Sequence, residues 1–406
     1  MIWGVNTLRL LDAGLSVQAV FLVNAVFVVN AVCSAVAPSE PDCYIACSDC
    51  RWLRNIMTME TFNSVGPPSM AATLSPDMTH DEKVAHFTGG LAPDAGAIAP
   101  FAGSERLRPD GRPKPEFRAE LRRIPNVVNA MHVVFTLSLP FLYCGLAVLA
   151  EGWPLAAAIP TYAFVFVAMG SWFQRVLTLN HEAAHRLLFS NKRWNDWIGE
   201  NLIGWLVFGD GGNGYRLAHT QHHRDEFGEK EPDFLLYAQY PISKASLRRK
   251  LVRDAVGISG YKNLKPAFVG LFKPKRRVRA LRYLSGQLFV FSIFLVLGQP
   301  LFYVVFWLLP WGTYFRVFNR LRALAEHGGM TRSADRRRTT HNIHQGFWSR
   351  YVFLSQGIGF HLAHHVDSGI PMSNLHKLHR ALEEDGYIDP SQTQPGYWAF
   401  FRTLAR

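Results

Sequence analysis

Three histidine clusters in this chain have the spacing that metal chemistry requires. They read His181-Glu-Ala-Ala-His185, His219-Thr-Gln-His222-His223 and His361-Leu-Ala-His364-His365. In a helix, residues three and four positions apart lie on one face, so each cluster directs two or three imidazoles towards one point. Neutral imidazole is a good ligand for iron, copper and zinc. Because eight imidazoles exceed what one ion can use, the pattern predicts two metal ions.

The first cluster also fits HExxH, the signature of zinc proteases. In that alternative His181 and His185 bind zinc and Glu182 is the general base. A membrane zinc metallopeptidase would leave both HxxHH clusters without a role. The sequence therefore favours the site with two ions.

The elements that must position these histidines are apolar. Of the 406 residues 49% are hydrophobic, and they collect in long runs with few charges, which is typical of membrane proteins. One run covers 124–174 with a break at 151–154, and another covers 283–315 with a break at 298–300. A spanning helix needs about 20 apolar residues, so the first run supplies two spans. The second run supplies two short spans that need flanking residues to reach this length, or else it forms a re-entrant or buried helical pair.

The basic residues indicate which side of the membrane the polar segments occupy. The net charge is +12, and Lys and Arg precede the first run, separate the two runs and follow the second. The breaks at 151–154 and 298–300 carry none. By the positive-inside rule the long polar segments, with the histidine clusters, face the cytoplasm. The segment 194–208 is too short to span, and its tryptophans predict a helix at the membrane interface.

These patterns predict an all-α integral membrane protein. Four transmembrane helices in two hairpins would have the histidine clusters on their cytosolic side. The family resemblance given below implies that a helical cytosolic domain caps these helices and holds a di-metal site. The predicted divisions are an N-terminal extension at 1–70, a cytosolic lead-in at 71–123, a membrane and catalytic domain at 124–385 and a C-terminal cytosolic tail at 386–406.

The N-terminal extension has three interpretations. Its charge-free run at 14–37 could span the membrane or serve as a signal peptide, or translation could start at a later methionine such as Met57. A cysteine cluster, Cys43, Cys47 and Cys50, lacks a second CxxC pair, so free thiols are favoured over a metal site there.

The clusters, in this order and spacing, resemble the membrane fatty-acid desaturase and hydroxylase superfamily over about 125–382. Bacterial acyl-lipid desaturases look closest, because of Ala-Glu326-His327-Gly-Gly after the fourth span and Asn374-Leu-His-Lys-Leu-His379 after the third cluster. The resemblance implies a non-haem di-iron centre. Such enzymes use O2 and two electrons to remove hydrogen from unactivated methylenes of an acyl chain.

The resemblance also adds His327 as a ninth metal ligand beside the eight clustered histidines. No residue beyond the ligands is assigned a catalytic role. Acidic residues that accept the free ring N–H would orient the imidazoles. The candidates in or after the clusters are Glu182, Asp225, Glu226, Asp233 and Asp367. Histidines flanking the aromatic segment, His341 and His344, are expected at the surface.

The predicted function is a membrane-bound, O2-dependent di-iron desaturase that introduces a double bond into an acyl lipid. A hydroxylase or ketolase of the same superfamily, acting on a lipid or terpenoid, is the alternative. The sequence has no fused haem motif and no ferredoxin-type set of four cysteines. Electrons would therefore come from an external ferredoxin or a b-type cytochrome with its reductase, and no nucleic-acid partner is expected.

Overall fold

A computed structural model describes residues 78–207, 213–350 and 354–406. The predicted N-terminal extension, with its apolar run at 14–37 and its cysteine cluster, lies outside these residues. The described chain is mostly helical, and one parallel pair of two-residue strands, β1 (Asn342–Ile343) and β2 (Thr393–Gln394), joins residues near its end.

Four helical segments are long and apolar enough to cross a membrane, by length and composition. They are Asn126–Ala150, Leu155–Ala184, Pro274–Val296 and Pro300–His327. The predicted short spans of the second run are thus lengthened at both ends by flanking residues, including the basic ones at the start of Pro274–Val296. The four segments agree with the predicted number of spans.

The helices are numbered in chain order. Before and within the first hairpin they are α1 (His80–Phe87), α2 (Pro115–Leu121), α3 (Asn126–Ala150) and α4 (Leu155–Ala184). Between the hairpins they are α5 (Lys192–Asp196), α6 (Gly204–Leu206), α7 (Asn213–Arg224), α8 (Phe234–Tyr237), α9 (Lys244–Ala255) and α10 (Ile258–Leu271). The second hairpin comprises α11 (Pro274–Val296), α12 (Pro300–Tyr303), α13 (Leu309–Gly312) and α14 (Tyr314–His327). The last helices are α15 (His361–Val366), α16 (Met372–Glu384) and α17 (Tyr397–Thr403).

Two π-helical turns make longer helices continuous. Trp197–Ile203 joins α5 to α6, so the segment predicted as an interfacial helix is helical from Lys192 to Leu206. Val304–Leu308 joins α12 to α13. Exposed Trp194 and Trp197 lie on the first of these segments, as a helix at a membrane interface requires.

Aromatic packing fixes α4 against the fourth candidate span. The rings of Trp172 and Phe173 lie 5.0 and 5.2 Å from that of Trp307, and Phe173 also packs on Phe315. Such aromatic contacts bury large apolar surfaces. They hold α4 beside Trp307 and the start of α14, and both helices carry histidines further along, at their C-terminal ends.

The lead-in is polar, and between its two short helices it is mostly irregular, yet it is bound to the third cluster. Arg118 of α2 pairs with Asp367 immediately after α15. The side-chain amide of Asn374 in α16 donates to Leu121 O at 2.9 Å. Leu107 and Leu121 are fully buried in the same core as the α15 and α16 side chains. The lead-in is thus part of the wall around the histidines.

Candidate metal centre

Four helices bring the clustered histidines together. His181 lies in the last turn of α4, and His185 caps that helix. The second cluster lies in α7 and the third forms most of α15. His327 is the last residue of α14. All nine histidines that the sequence and the resemblance nominate therefore meet in one region of the described chain.

The first imidazole group consists of five histidines. Their candidate ligand atoms all lie within 4.8 Å of one another. The members are His181, His185, His219, His223 and His364. The Nε2 atom of His219 lies 2.8 Å from that of His185 and 3.1 Å from that of His223. The Nε2 atoms of His364 and His223 are 3.0 Å apart.

The second imidazole group consists of His222, His327, His361 and His365. Candidate ligand atoms of three of these, with one from Glu226, lie within 4.8 Å of one another. The fourth, His361, places its Nε2 atom 3.1 Å from those of both His327 and His365. The two groups adjoin, because the stacked rings of His223 and His365 lie 4.3 Å apart.

These distances fit nitrogen atoms that share an ion. Metal–nitrogen bonds are about 2.0–2.1 Å long, so two nitrogens at right angles on one ion lie roughly 3 Å apart. The Nε2 atom of buried His181 has no hydrogen-bond partner among the described residues. A buried polar atom without a partner is costly, and a metal ion would satisfy it. The donor set of the two groups therefore suits two ions.

Hydrogen bonds to oxygen atoms orient two rings of the second imidazole group, and the other two rings lie beside a carboxylate without a hydrogen bond. Nδ1 of His222 donates to Glu231 Oε2 at 2.9 Å, and Nδ1 of His327 donates to Thr339 O at 2.8 Å. Nδ1 of His361 lies 3.4 Å from Glu326 Oε1. With Nδ1 facing outward, each Nε2 faces the group and is free to bind metal.

Glu226 completes this set of oxygens. Its carboxylate contacts Nδ1 of His365 and pairs on its other side with Arg336. A carboxylate held between an imidazole and a guanidinium is an outer partner of the ring rather than a ligand in its own right. The candidate ligand atoms of the second group are thus the four Nε2 atoms, with an oxygen of Glu226 close by.

Four other carboxylates named from the sequence have different contacts. Glu182 is buried, and its Oε1 accepts the backbone N–H of Met372 at 3.0 Å at the start of α16. Asp225 accepts the backbone N–H of Lys230, so it shapes the turn after α7. The carboxylate of Asp233 accepts a hydrogen bond from the Tyr237 side chain, and the backbone N–H of Asp233 donates to Glu231 at 3.0 Å. Asp367 pairs with Arg118.

Burial controls the charge of most clustered histidines outside the spans. It lowers the pKa of His185 to about 4. Burial, and then neighbouring imidazoles, hold the pKa of five more histidines well below the ordinary value. These are His219, His223, His361, His364 and His365. Neutral imidazole is the form that binds metal.

His222 is the exception. Burial alone would lower its pKa, but the hydrogen bond to Glu231 and the nearby carboxylates raise the pKa above the ordinary value. A carboxylate behind a ring also increases its basicity as a ligand. Of the nine histidines, only members of the second group have a carboxylate contact among the described residues, so the two groups differ in electrostatic environment.

The expectation that His341 lies at the surface is wrong, whereas His344 is exposed as expected. His341 is buried and donates from Nε2 to Gly328 O at 2.8 Å, and its ring packs on Phe400. It thereby holds the turn directly after His327. Sequence spacing gave no indication of this contact, because it depends on how the loop after α14 folds back.

Three oxygen partners, Glu231, Glu326 and Thr339, were not nominated from the sequence. For Glu326, the sequence did offer one indication of a role near the metal centre, because this residue directly precedes His327. Glu231 lies nine residues after His222, and the turn that returns it to the ring has no periodic pattern. Thr339 contributes a backbone carbonyl, which residue types cannot reveal.

Comparisons with known proteins match this chain to desaturases. A family model described as fatty acid desaturase matches residues 152–394. The chain is 26% identical over 284 residues to the dihydrorhizobitoxine desaturase of Bradyrhizobium elkanii, covering 65% of this chain and 78% of that protein.

Two further relatives are matched over shorter shares of their length. The chloroplastic omega-6 fatty acid desaturase of Spinacia oleracea is 25% identical over 251 residues, 56% of this chain and 54% of that protein. The Delta(8)-fatty-acid desaturase of Euglena gracilis is 31% identical over 121 residues, 27% of each chain. No solved structure matches this chain.

Proposed function

This chain belongs to the fatty acid desaturase family, and on that premise we propose that it is a membrane-bound di-iron desaturase that introduces a double bond into an acyl chain. Membership confirms the resemblance drawn from the histidine clusters and makes the chain an oxidoreductase. The family and the four apolar segments indicate a membrane protein.

The observation that carries the proposal is the convergence of nine imidazoles into two adjoining groups. Imidazole-only donor sets suit iron, copper and zinc, and the family points to iron. When bound, the two irons would supply, with O2 and two electrons, the oxidising power that removes two hydrogens from neighbouring carbons. The nine histidines are proposed as the ligands.

The protein's own residues have three tasks in this proposal. The helix ends and α15 position the imidazoles, and Glu231 and Thr339 keep the Nε2 atoms of His222 and His327 facing inward. The carboxylates of Glu226 and Glu326 lie beside the other two rings of the second group. The apolar residues of α4 and α15 pack in the core around the centre. No side chain needs to act as an acid or base on a methylene.

The proposal places the metal centre on the cytoplasmic side of the inner membrane. Support comes from the charge distribution along the sequence, in which the segments around the clusters are rich in Lys and Arg. Electrons would come from an external ferredoxin or b-type cytochrome, since Cys144 is the only cysteine among the described residues.

The contact of Glu182 argues against the zinc peptidase. A general base must face a metal-bound water, whereas Glu182 is buried and receives the backbone N–H of Met372. That carboxylate instead connects the first cluster to the start of α16.

Two measurements test the proposal. Elemental analysis of the purified protein should find about two irons per chain, whereas one zinc would support the peptidase. Mass spectrometry of lipids and small metabolites from cells with and without the gene should reveal products that have lost two hydrogens. Products that have gained oxygen would show a hydroxylase or ketolase, and an unchanged profile together with absent iron would refute the proposal.

A further inference from the structure

A cavity of about 820 Å3 opens beside the two imidazole groups. Its walls include His185 and His223 from the first group and His365 from the second. Five arginines also line it. Four come from the lead-in and one from the segment after α14: Arg108, Arg112, Arg118, Arg122 and Arg336. The cavity thus joins a cluster of cations to the candidate metal centre.

The arginines are only partly neutralised. Arg118 pairs with Asp367, Arg336 pairs with Glu226, and Arg112 lies 3.8 Å from Asp110. Arg108 and Arg122 are exposed, and neither has an acidic partner among the described residues. Asp367 is the one acidic residue in the cavity wall. The cavity therefore keeps an excess of positive charge, together with guanidinium donors that no protein group uses.

We infer that this cavity binds the anionic end of the substrate, a carboxylate or a phosphate, and thereby selects a charged substrate over a neutral lipid. Guanidinium groups match the geometry of both anions and form strong charge-assisted hydrogen bonds with them. The inference rests on the proposed function, because it takes the occupant of the cavity to be the desaturase substrate.

The shape of the site favours a small anion over an acidic protein. Ligand cavities typically enclose roughly 300–1,000 Å3, and this one lies in that range. A protein partner would cover about 800 Å2 of surface on each side. Here the arginines line a concave space that reaches the imidazoles. We therefore propose a small anion as the occupant of the cavity. Binding of an acidic electron carrier is the alternative result that the test below can detect.

The test compares three eight-carbon probes that differ in the polar end: octanoate, octyl phosphate and octanol. Binding is measured by calorimetry on the full chain, purified in a neutral detergent with its metals. The test variant is Arg108→Gln/Arg122→Gln, which removes two exposed arginines without breaking an ion pair of the described residues. The control Lys244→Gln/Arg248→Gln removes the same charge from exposed positions on α9.

We expect at least one of the two anions to bind the unmodified protein at least tenfold more tightly than octanol. The double arginine variant should lose that preference by roughly tenfold or more, the effect of losing charged hydrogen bonds, and the α9 control should keep it. If octanoate binds more tightly, the anionic group of the substrate is a carboxylate. If octyl phosphate binds more tightly, it is a phosphate. Arg108→Lys/Arg122→Lys, which keeps the charge but loses the fork geometry, should retain part of the preference.

Three results would overturn the inference: equal binding of octanol and both anions, an anion preference that survives in the double arginine variant, or loss of the preference in the α9 control. Binding of an acidic ferredoxin that depends on Arg108 and Arg122, without binding of either anion, would reassign the surface to a protein. Iron content and product analysis are measured separately. A failed anion test with two irons and a desaturated product would leave the proposed function intact.

Discussion

At the scale of single residues, the feature that distinguishes this centre is the oxygen behind each ring of the second imidazole group. His222, for example, is fixed by Glu231, whose other contacts are the backbone N–H groups of Phe227 and Asp233. The ring therefore has one available nitrogen and one orientation. Loss of the ring and loss of its partner should have different effects, and two substitutions separate them.

Replacing His222 with alanine should remove a ligand of the second group, lower the bound iron and abolish desaturation. The control is His86→Ala, at an exposed histidine of α1 outside both groups. Metal content per purified chain and mass spectrometry of lipids measure the two effects. If His222→Ala retained the full iron content, His222 would not be a ligand.

Replacing Glu231 with glutamine should weaken iron binding without removing a ligand. Outer carboxylates typically contribute 10–100-fold to metal affinity, so a loss of about that size is expected. Glu229→Gln alters an exposed glutamate two residues away and should leave the affinity unchanged. Titration of the metal-depleted proteins with ferrous ion gives both values. Equal affinities in the two variants would show that Glu231 does not tune His222.

At the scale of elements, histidine spacing identified the helices that meet at the centre, because positions three and four apart share a face in any helix. The number of spans also followed from composition. Other features could not be predicted. The outward contacts of His327 and His341 depend on how the loop after α14 folds, and the π-helical turn at Val304–Leu308 has no periodic signature. Long-range packing decides these features, and spacing along the chain does not record it.

The close approach of α11 to α6 is a contact that a single methyl group would disturb. A Cβ atom at Gly286 of α11 would lie 2.0 Å from the carbonyl oxygen of Trp205 in α6. Backbone atoms cannot move aside as a side-chain end can. We expect Gly286→Ala to lower the free energy of unfolding by about 1–3 kcal/mol, the usual cost of overpacking.

Gly145 of α3 provides the matched control, because a Cβ atom there meets nothing within 4 Å. Alanine is favoured over glycine in helices by about 1 kcal/mol, so Gly145→Ala should be neutral or stabilising. Thermal unfolding of both purified variants in detergent measures the difference. A melting temperature for Gly286→Ala at or above that of the unmodified protein would contradict the close approach of α11 and α6.

At the scale of the whole molecule, both ends of the described chain are built into the fold. Phe87 of α1 packs in one cluster with Phe227, Phe234 and Met330. At the other end, the backbone N–H of Arg406 donates to Ile242 O at 3.0 Å. The segment predicted as a C-terminal tail therefore contributes contacts to the body of the protein.

Deleting residues 1–56 should leave membrane insertion, iron content and activity unchanged, because the four candidate spans and all nine histidines follow. A longer deletion of residues 1–90 removes α1 and its contacts with Phe227 and Met330, so it should reduce the yield of folded protein. Membrane fractionation and lipid analysis compare the two. Failure of the shorter form to insert would show that the apolar run at 14–37 is required.

The wide separation of the histidines along the chain has a consequence for biosynthesis. Both imidazole groups contain members from α7 and from α15, so neither group is complete until α15 has left the ribosome. By then all four apolar segments have already been synthesised. In the proposed function, metal loading is accordingly a late event in maturation, and a chain that stops before α15 would reach the membrane with both imidazole groups incomplete.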